Sequence, residues 1–215
     1  MGSFLRIAAA LLAVFVLAGC AVNKETRTPE EIRAAVYQHD APPSLTLYTM
    51  VSNRSGSGAH TSLLINGSQR IAWDPAGSFR AESIIAHQDV VYGMTPKMVD
   101  IYTRFHARKT YHVIIQELPV SAEVAELALR KVMSYGAVPQ STCAHSTSDI
   151  LRSLPGFEDI PSTYSPNKLY EAFTRYGPTE QKLFEYDADD KSKVLAEYNA
   201  QLVAEQRATR NATTY

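Results

Sequence analysis

The strongest constraint on the fold is a two-residue rhythm that begins at Ser44. Leu45, Leu47, Thr49 and Val51 alternate with Thr46, Tyr48 and Met50. Successive side chains of an extended strand point to opposite faces, so this spacing predicts a strand. The polar run Asn53-Arg54-Ser55-Gly56-Ser57-Gly58 predicts a loop, Ala59 to Ile65 a second strand, and Gln69 to Asp74 a third. Between the last two stands Asn66-Gly67-Ser68. Asn and Gly tolerate the positive φ that a tight reversal demands, which makes this segment a hairpin signal.

Helical spacing takes over on either side. Thr28-Pro29-Glu30-Glu31 matches a capping box with Pro at the first helical position, predicting a short helix through about Gln38. Asp40-Ala41-Pro42-Pro43 stops it. Thr95-Pro96 opens a helix presenting Met98, Tyr102 and Phe105, and Tyr111 to Leu118 reads as a further strand. Ser121 caps a helix whose Val124, Leu127, Ala128, Val132 and Tyr135 share a face, closed by Gly136. Ser141-Thr142 offers a fresh N-cap, with Cys143 in the first turn and Thr147, Ile150, Leu151 and Leu154 along one side. Pro155-Gly156 ends that helix. The segment 75–93 carries no clear period, and 155–178, rich in Pro, Gly and Tyr, predicts loops and one short helix. Val194, Tyr198 and Leu202 form a weak helical pattern in a charged segment. The expectation is one α+β domain over 44–178, an antiparallel sheet with packed helices, preceded by a tether and short helix over 20–43. A peripheral helix and tail over 179–215 follow it.

The N-terminus has a separate role. Arg6 precedes an apolar run from Ile7 to Leu17, too short to span a bilayer, and Leu17-Ala18-Gly19-Cys20 follows at once. This tetrapeptide resembles the bacterial lipobox. The resemblance implies that 1–19 is a lipoprotein signal peptide and that Cys20 carries acyl chains such as palmitate, making the lipid bilayer a partner. Ala21 in place of Asp then favours the outer membrane of a Gram-negative bacterium, with the domain facing the periplasm.

Composition removes several classes of function. A formal net charge of −1 offers no basic surface for nucleic acid. There is no P-loop, GxGxxG or HExxH, and two cysteines cannot build a cysteine-rich zinc site, so no cofactor or metal is expected. A site made of histidines alone stays open. With Cys20 committed to lipid, Cys143 is left without a partner in an oxidising compartment. Either it is buried and inert, or its thiol is used.

Cys143 at a helix start with His60 on a hairpin strand is the constellation that could carry chemistry. Unpaired N–H groups and the helix dipole favour thiolate, and an imidazole in reach completes the activation. Asp74 is the candidate to orient His60. If the hairpin loop has three residues and Ile65 pairs with Gln69, His60 falls opposite Asp74; a two-residue turn pairs His60 with Trp73 instead. Asp74 otherwise reads as a turn former. His112 is an alternative base, while His39, His87 and His106 read as surface or satisfied residues, and His145 points elsewhere on the Cys143 helix.

The segment Gly58-Ala59-His60-Thr61-Ser62-Leu63-Leu64-Ile65, followed well downstream by Ser141-Thr142-Cys143-Ala144-His145, resembles the permuted NlpC/P60 group of papain-like hydrolases. In that group the His-bearing strand precedes the Cys-bearing helix. The resemblance implies a papain-like, circularly permuted α+β core and a cysteine hydrolase acting on an amide, peptide or ester bond, for which peptidoglycan peptide is a candidate substrate. A non-enzymatic envelope lipoprotein and a lipid acyltransferase or lipase are the alternatives.

Overall fold

The computed structural model describes residues 27–81, 83–184 and 192–201. The expected signal peptide and Cys20 lie outside them. Helix α1 (Pro29–Ala34) has the anticipated capping box, with Glu31 N–H donating to the Thr28 hydroxyl and Thr28 N–H to the Glu31 carboxylate. It ends sooner than Gln38 because the next residues are claimed by the sheet: Arg70 N–H donates to the Tyr37 carbonyl at 2.7 Å.

Strands β1 (Ser44–Ser52), β2 (Gly58–Asn66) and β3 (Arg70–Trp73) form the expected meander. Two short strands, β4 (Ala86–His87) and β5 (Val90–Val91), occupy the stretch that has no period in the sequence. With β6 (Tyr111–Pro119) and β7 (Thr179–Leu183) they complete a seven-stranded antiparallel sheet of order β4-β5-β3-β2-β1-β6-β7. The sheet thus runs past the boundary expected at residue 178. Thr-Glu-Gln-Lys-Leu has no apolar rhythm because β7 is an exposed edge that joins by backbone pairing, and polar residues suit such an edge.

Helices cover both faces. Leu45, Leu47, Leu63, Ile65, Ile71 and Trp73 pack against α3 (Ala122–Tyr135), α4 (Cys143–Arg152) and α5 (Pro166–Thr174). On the other face Tyr48, Met50, Leu64, Ala72, Val91 and Val113 lie beneath α2 (Pro96–His106), and beneath Val194 and Tyr198 of α6, residues 192–201. Central β1 is therefore buried on both sides, and the Thr residues in its alternation are core residues too. Burying each large aliphatic side chain of this kind contributes about 1.5–3 kcal/mol. Among the described residues no helix is long and apolar enough to cross a membrane.

Candidate active site

The β1–β2 ladder pairs Met50 with His60 and then Val51 with Gly58, skipping Ala59. This bulge adds local twist where β2 begins and re-aims the His60 side chain. Gly58 is held against the start of α5: a Cβ there would come 2.5 Å from Asn167 Oδ1 and 2.7 Å from Pro166 Cβ.

His60 Nε2 lies 2.8 Å from Asp74 Oδ1. The β2–β3 register that delivers this contact differs from both sequence expectations. Asn66 pairs with Arg70 and Leu63 with Trp73, so one further step sets Asp74 opposite Ser62, with His60 on the diagonal. The loop is three residues long, but it is Gly67-Ser68-Gln69. Its position follows from docking on α3, where Ser68 N–H and Oγ–H both bond the Glu126 carboxylate. A Cβ on Gly67 would collide with that carboxylate at 2.8 Å.

Asp74 is fully buried. The Tyr102 hydroxyl lies 2.9 Å from Asp74 Oδ1 and 2.7 Å from Ser62 Oγ. A phenol has one proton; it goes to the carboxylate, and Tyr102 accepts from Ser62 in return. Arg80 adds charge, its Nη1 standing 4.0 Å from Asp74 Oδ2. Gly77 closes over the same oxygen so tightly that a Cβ would sit 1.8 Å from it. His60 and Tyr102 thus both bond Oδ1, while Oδ2 has Arg80 at ion-pair distance and no hydrogen-bond donor among the described residues.

Cys143 is the first residue of α4, as the sequence predicts, and its N-cap is Thr142. The Thr142 hydroxyl, however, donates back to the Pro139 carbonyl and makes no cap hydrogen bond. The first-turn amides stay available, and the backbone N–H groups of Ala144 and Thr61 both act to lower the Cys143 thiol. His60 acts on the thiol as well, lowering it through hydrogen bonding and charge. With Nε2 given to Asp74, Nδ1 is the nitrogen left for the thiol.

The electrostatics follow from this chain of contacts. Burial pushes the Cys143 thiol up, but the hydrogen bond and charge of His60 and the two amides outweigh it and hold it below the ordinary thiol range. Burial likewise works against a charged His60, yet Asp74 and Cys143 raise it to about 9. Burial would raise Asp74; the His60 hydrogen bond and charge, with His106 and Arg80, hold it well below the usual carboxylate range. The three shifts run toward thiolate, imidazolium and carboxylate.

Access is uneven. Cys143 is 7% exposed, whereas the His60 side chain is 18% exposed and borders a pocket of about 200 Å³ with Gly77, His106 and Tyr111. Exposed Gln140 donates to the Ala76 carbonyl at 3.2 Å, tying the segment before Cys143 to the loop after Asp74.

Cys143, His60 and Asp74 are therefore brought together, and Cys20 lies outside the described residues. The alternative base is not: His112 bonds Asn53 Oδ1 and stacks on Phe184. His145 points away, to Ser162, Asp149 and the ring of Tyr164. Four residues of the site were not singled out by the sequence, namely Tyr102, Arg80, His106 and Asp89. His106 is buried, stacks on His60 with ring centroids 5.9 Å apart, and bonds the Tyr102 carbonyl through Nδ1. Asp89, also buried, accepts from the N–H groups of Ala76 and Val138 and so links the loops that lead from Asp74 and toward Cys143. Only the i,i+4 spacing of Tyr102 and His106 hinted at a common face.

His60, Asp74 and His106 each bring one ligand atom within 4.8 Å of the others, the set among the described residues that could hold a metal. A metal held by His60 Nε2 and Asp74 would displace the proton between them. Ion pair and metal are thus alternatives at this site.

No protein-family model matches the chain, and neither a curated protein nor a solved structure does.

Proposed function

We propose that the protein is a thiol hydrolase of the bacterial envelope, tethered through acylated Cys20 to the outer membrane and facing the periplasm. Cys143 is the nucleophile, His60 the base and Asp74 the residue that orients it. The continuous contact from the Cys143 sulfur through His60 to Asp74 carries this reading. The thiolate attacks a carbonyl carbon, and the uncapped N–H groups of the first turn of α4 are the donors at hand for the oxygen that gains charge. The imidazolium then protonates the leaving amine or alcohol, and water hydrolyses the acyl-enzyme. A papain-like, permuted NlpC/P60 core belongs to the same proposal, supported by a His-bearing strand that precedes a Cys-bearing helix packed on an antiparallel sheet.

One observation favours the competing reading, a binding lipoprotein without activity: Cys143 is nearly closed to solvent. An electrophilic thiol probe separates the two. It should label Cys143 faster than a model thiol and lose that advantage in His60→Ala; equal labelling overturns the activated thiol. Digestion of purified peptidoglycan by wild type and Cys143→Ala, read by mass spectrometry, then tests the substrate. An activated thiol that releases no peptide would favour lipid esters, and with them an acyltransferase or lipase.

A further inference from the structure

A second cavity, of about 400 Å³, lies between the sheet and the start of α2, and it shares no residue with the pocket beside His60. Two of its lining residues, Asn66 and Arg70, are the last pair of the β2–β3 ladder. Residues directly opposite in a ladder project to the same face, so an amide and a guanidinium stand side by side in one wall. Both are more than nine-tenths buried, at 3% and 7% exposed. Arg70 Nε–H donates to the Met94 carbonyl and the guanidinium stacks on Tyr37, but Nη2 has no acceptor among the described residues. Asn66 Nδ2 donates to the carbonyls of Ala41 and Pro42, which turns Oδ1 the other way, and Oδ1 has no donor among the described residues.

Burying a charged donor and a carbonyl acceptor without partners is unfavourable. One small group satisfies both: a carboxylate with an N–H a few atoms away. We propose that this cavity binds the free carboxyl end of a short peptide or N-acylated amino acid, its carboxylate on Arg70 and its adjoining amide N–H on Asn66. Leu64, Val99 and Ile115 supply an apolar wall for the ligand's side chain. The cavity is of a size that suits such a ligand. Exposed Asp100 and Glu117 also line the cavity, and their carboxylates disfavour a second negative charge on the ligand, so monoanions are selected over dianions.

Isothermal titration of the full chain with N-acetyl-alanyl-alanine and with its C-terminal amide tests the proposal. The acid should bind and the amide should bind about tenfold or more weakly, the usual worth of a charge-assisted hydrogen bond. Arg70→Gln should erase that difference. Because Arg70 is buried, Thr179→Trp provides a second variant: Thr179 is an exposed lining residue on β7, and an indole there fills the mouth and abolishes binding without disturbing the core. Cys143→Ala should bind as wild type does, which separates this site from the proposed hydrolase. Equal affinity for acid and amide, no binding of either, or undiminished binding in Thr179→Trp overturns the assignment.

Discussion

Asp74→Asn keeps the side chain's shape and removes the charge facing His60 across 2.8 Å. His60 is raised from 6.5 to about 9 against the effect of its own burial, with the Asp74 hydrogen bond the largest contribution on the raising side and Cys143 sharing in it. The lift amounts to about 3 kcal/mol of preference for imidazolium. Since Cys143 keeps its part, the variant's His60 midpoint should fall by roughly 1–3 pH units, the effect of removing one adjacent opposite charge. A ring with a midpoint near 9 is roughly nine-tenths protonated at pH 8, and one with a midpoint near 7 roughly one-tenth. The assay is an NMR titration of the His60 Cε1 proton in both proteins. A wild-type midpoint near 6.5, or one that Asp74→Asn leaves in place, would refute the ion-pair chain.

The same shifts fix the sign of a stability change. His60 has a folded midpoint above its unfolded one, so its contribution is complete below about pH 6.5, declines by at most about 1.4 kcal/mol per pH unit, and is gone above about 9. Asp74 is depressed, so its contribution is complete above the ordinary carboxyl range and is lost only as pH falls through a far lower folded midpoint. The pair is worth most between about pH 4 and 6.5. Urea denaturation should therefore show a gap between wild type and Asp74→Asn that is wider at pH 6 than at pH 9, where the His60 part is lost. An equal gap at both would sink the argument.

Gly77→Ala places a Cβ 1.8 Å from Asp74 Oδ2, and the fully buried carboxylate has nowhere to go. It should cost about 1–3 kcal/mol in urea denaturation and lower the His60 midpoint as well; a wild-type midpoint would show that Asp74 had not moved. Tyr102→Phe removes the hydroxyl shared by Ser62 and Asp74 and should cost about 1–3 kcal/mol, most of it from underbonding a buried carboxylate. Unchanged stability would mean that the hydroxyl is dispensable. Gln140→Ala cuts the tie to Ala76 and should speed alkylation of Cys143 without moving its pH midpoint. An unchanged rate would remove Gln140 from the access route.

The strands and helices that bury an apolar face were legible in the sequence. Elements defined by pairing alone were not: β4, β5 and β7 are two, two and five residues long and carry no sufficient period. The site falls between these cases. His60, Cys143 and Asp74 were legible because a histidine and a carboxylate flanking a hairpin and a cysteine opening a helix are local facts. Asp89, Arg80 and His106 take their meaning from what is buried beside them, which no spacing encodes. Register shows why a wrong detail still led to the right contact. The expected three-residue loop set His60 against Asp74 directly, whereas docking of Ser68 on Glu126 moves the loop on by one residue and so sets Asp74 two positions away, opposite Ser62. A shift of two preserves the face, so the contact survives as a diagonal; the two-residue turn implies an odd shift, which would have sent Asp74 to the opposite side of the sheet. Parity, more than exact pairing, is what the hairpin had to deliver for His60 to find its carboxylate.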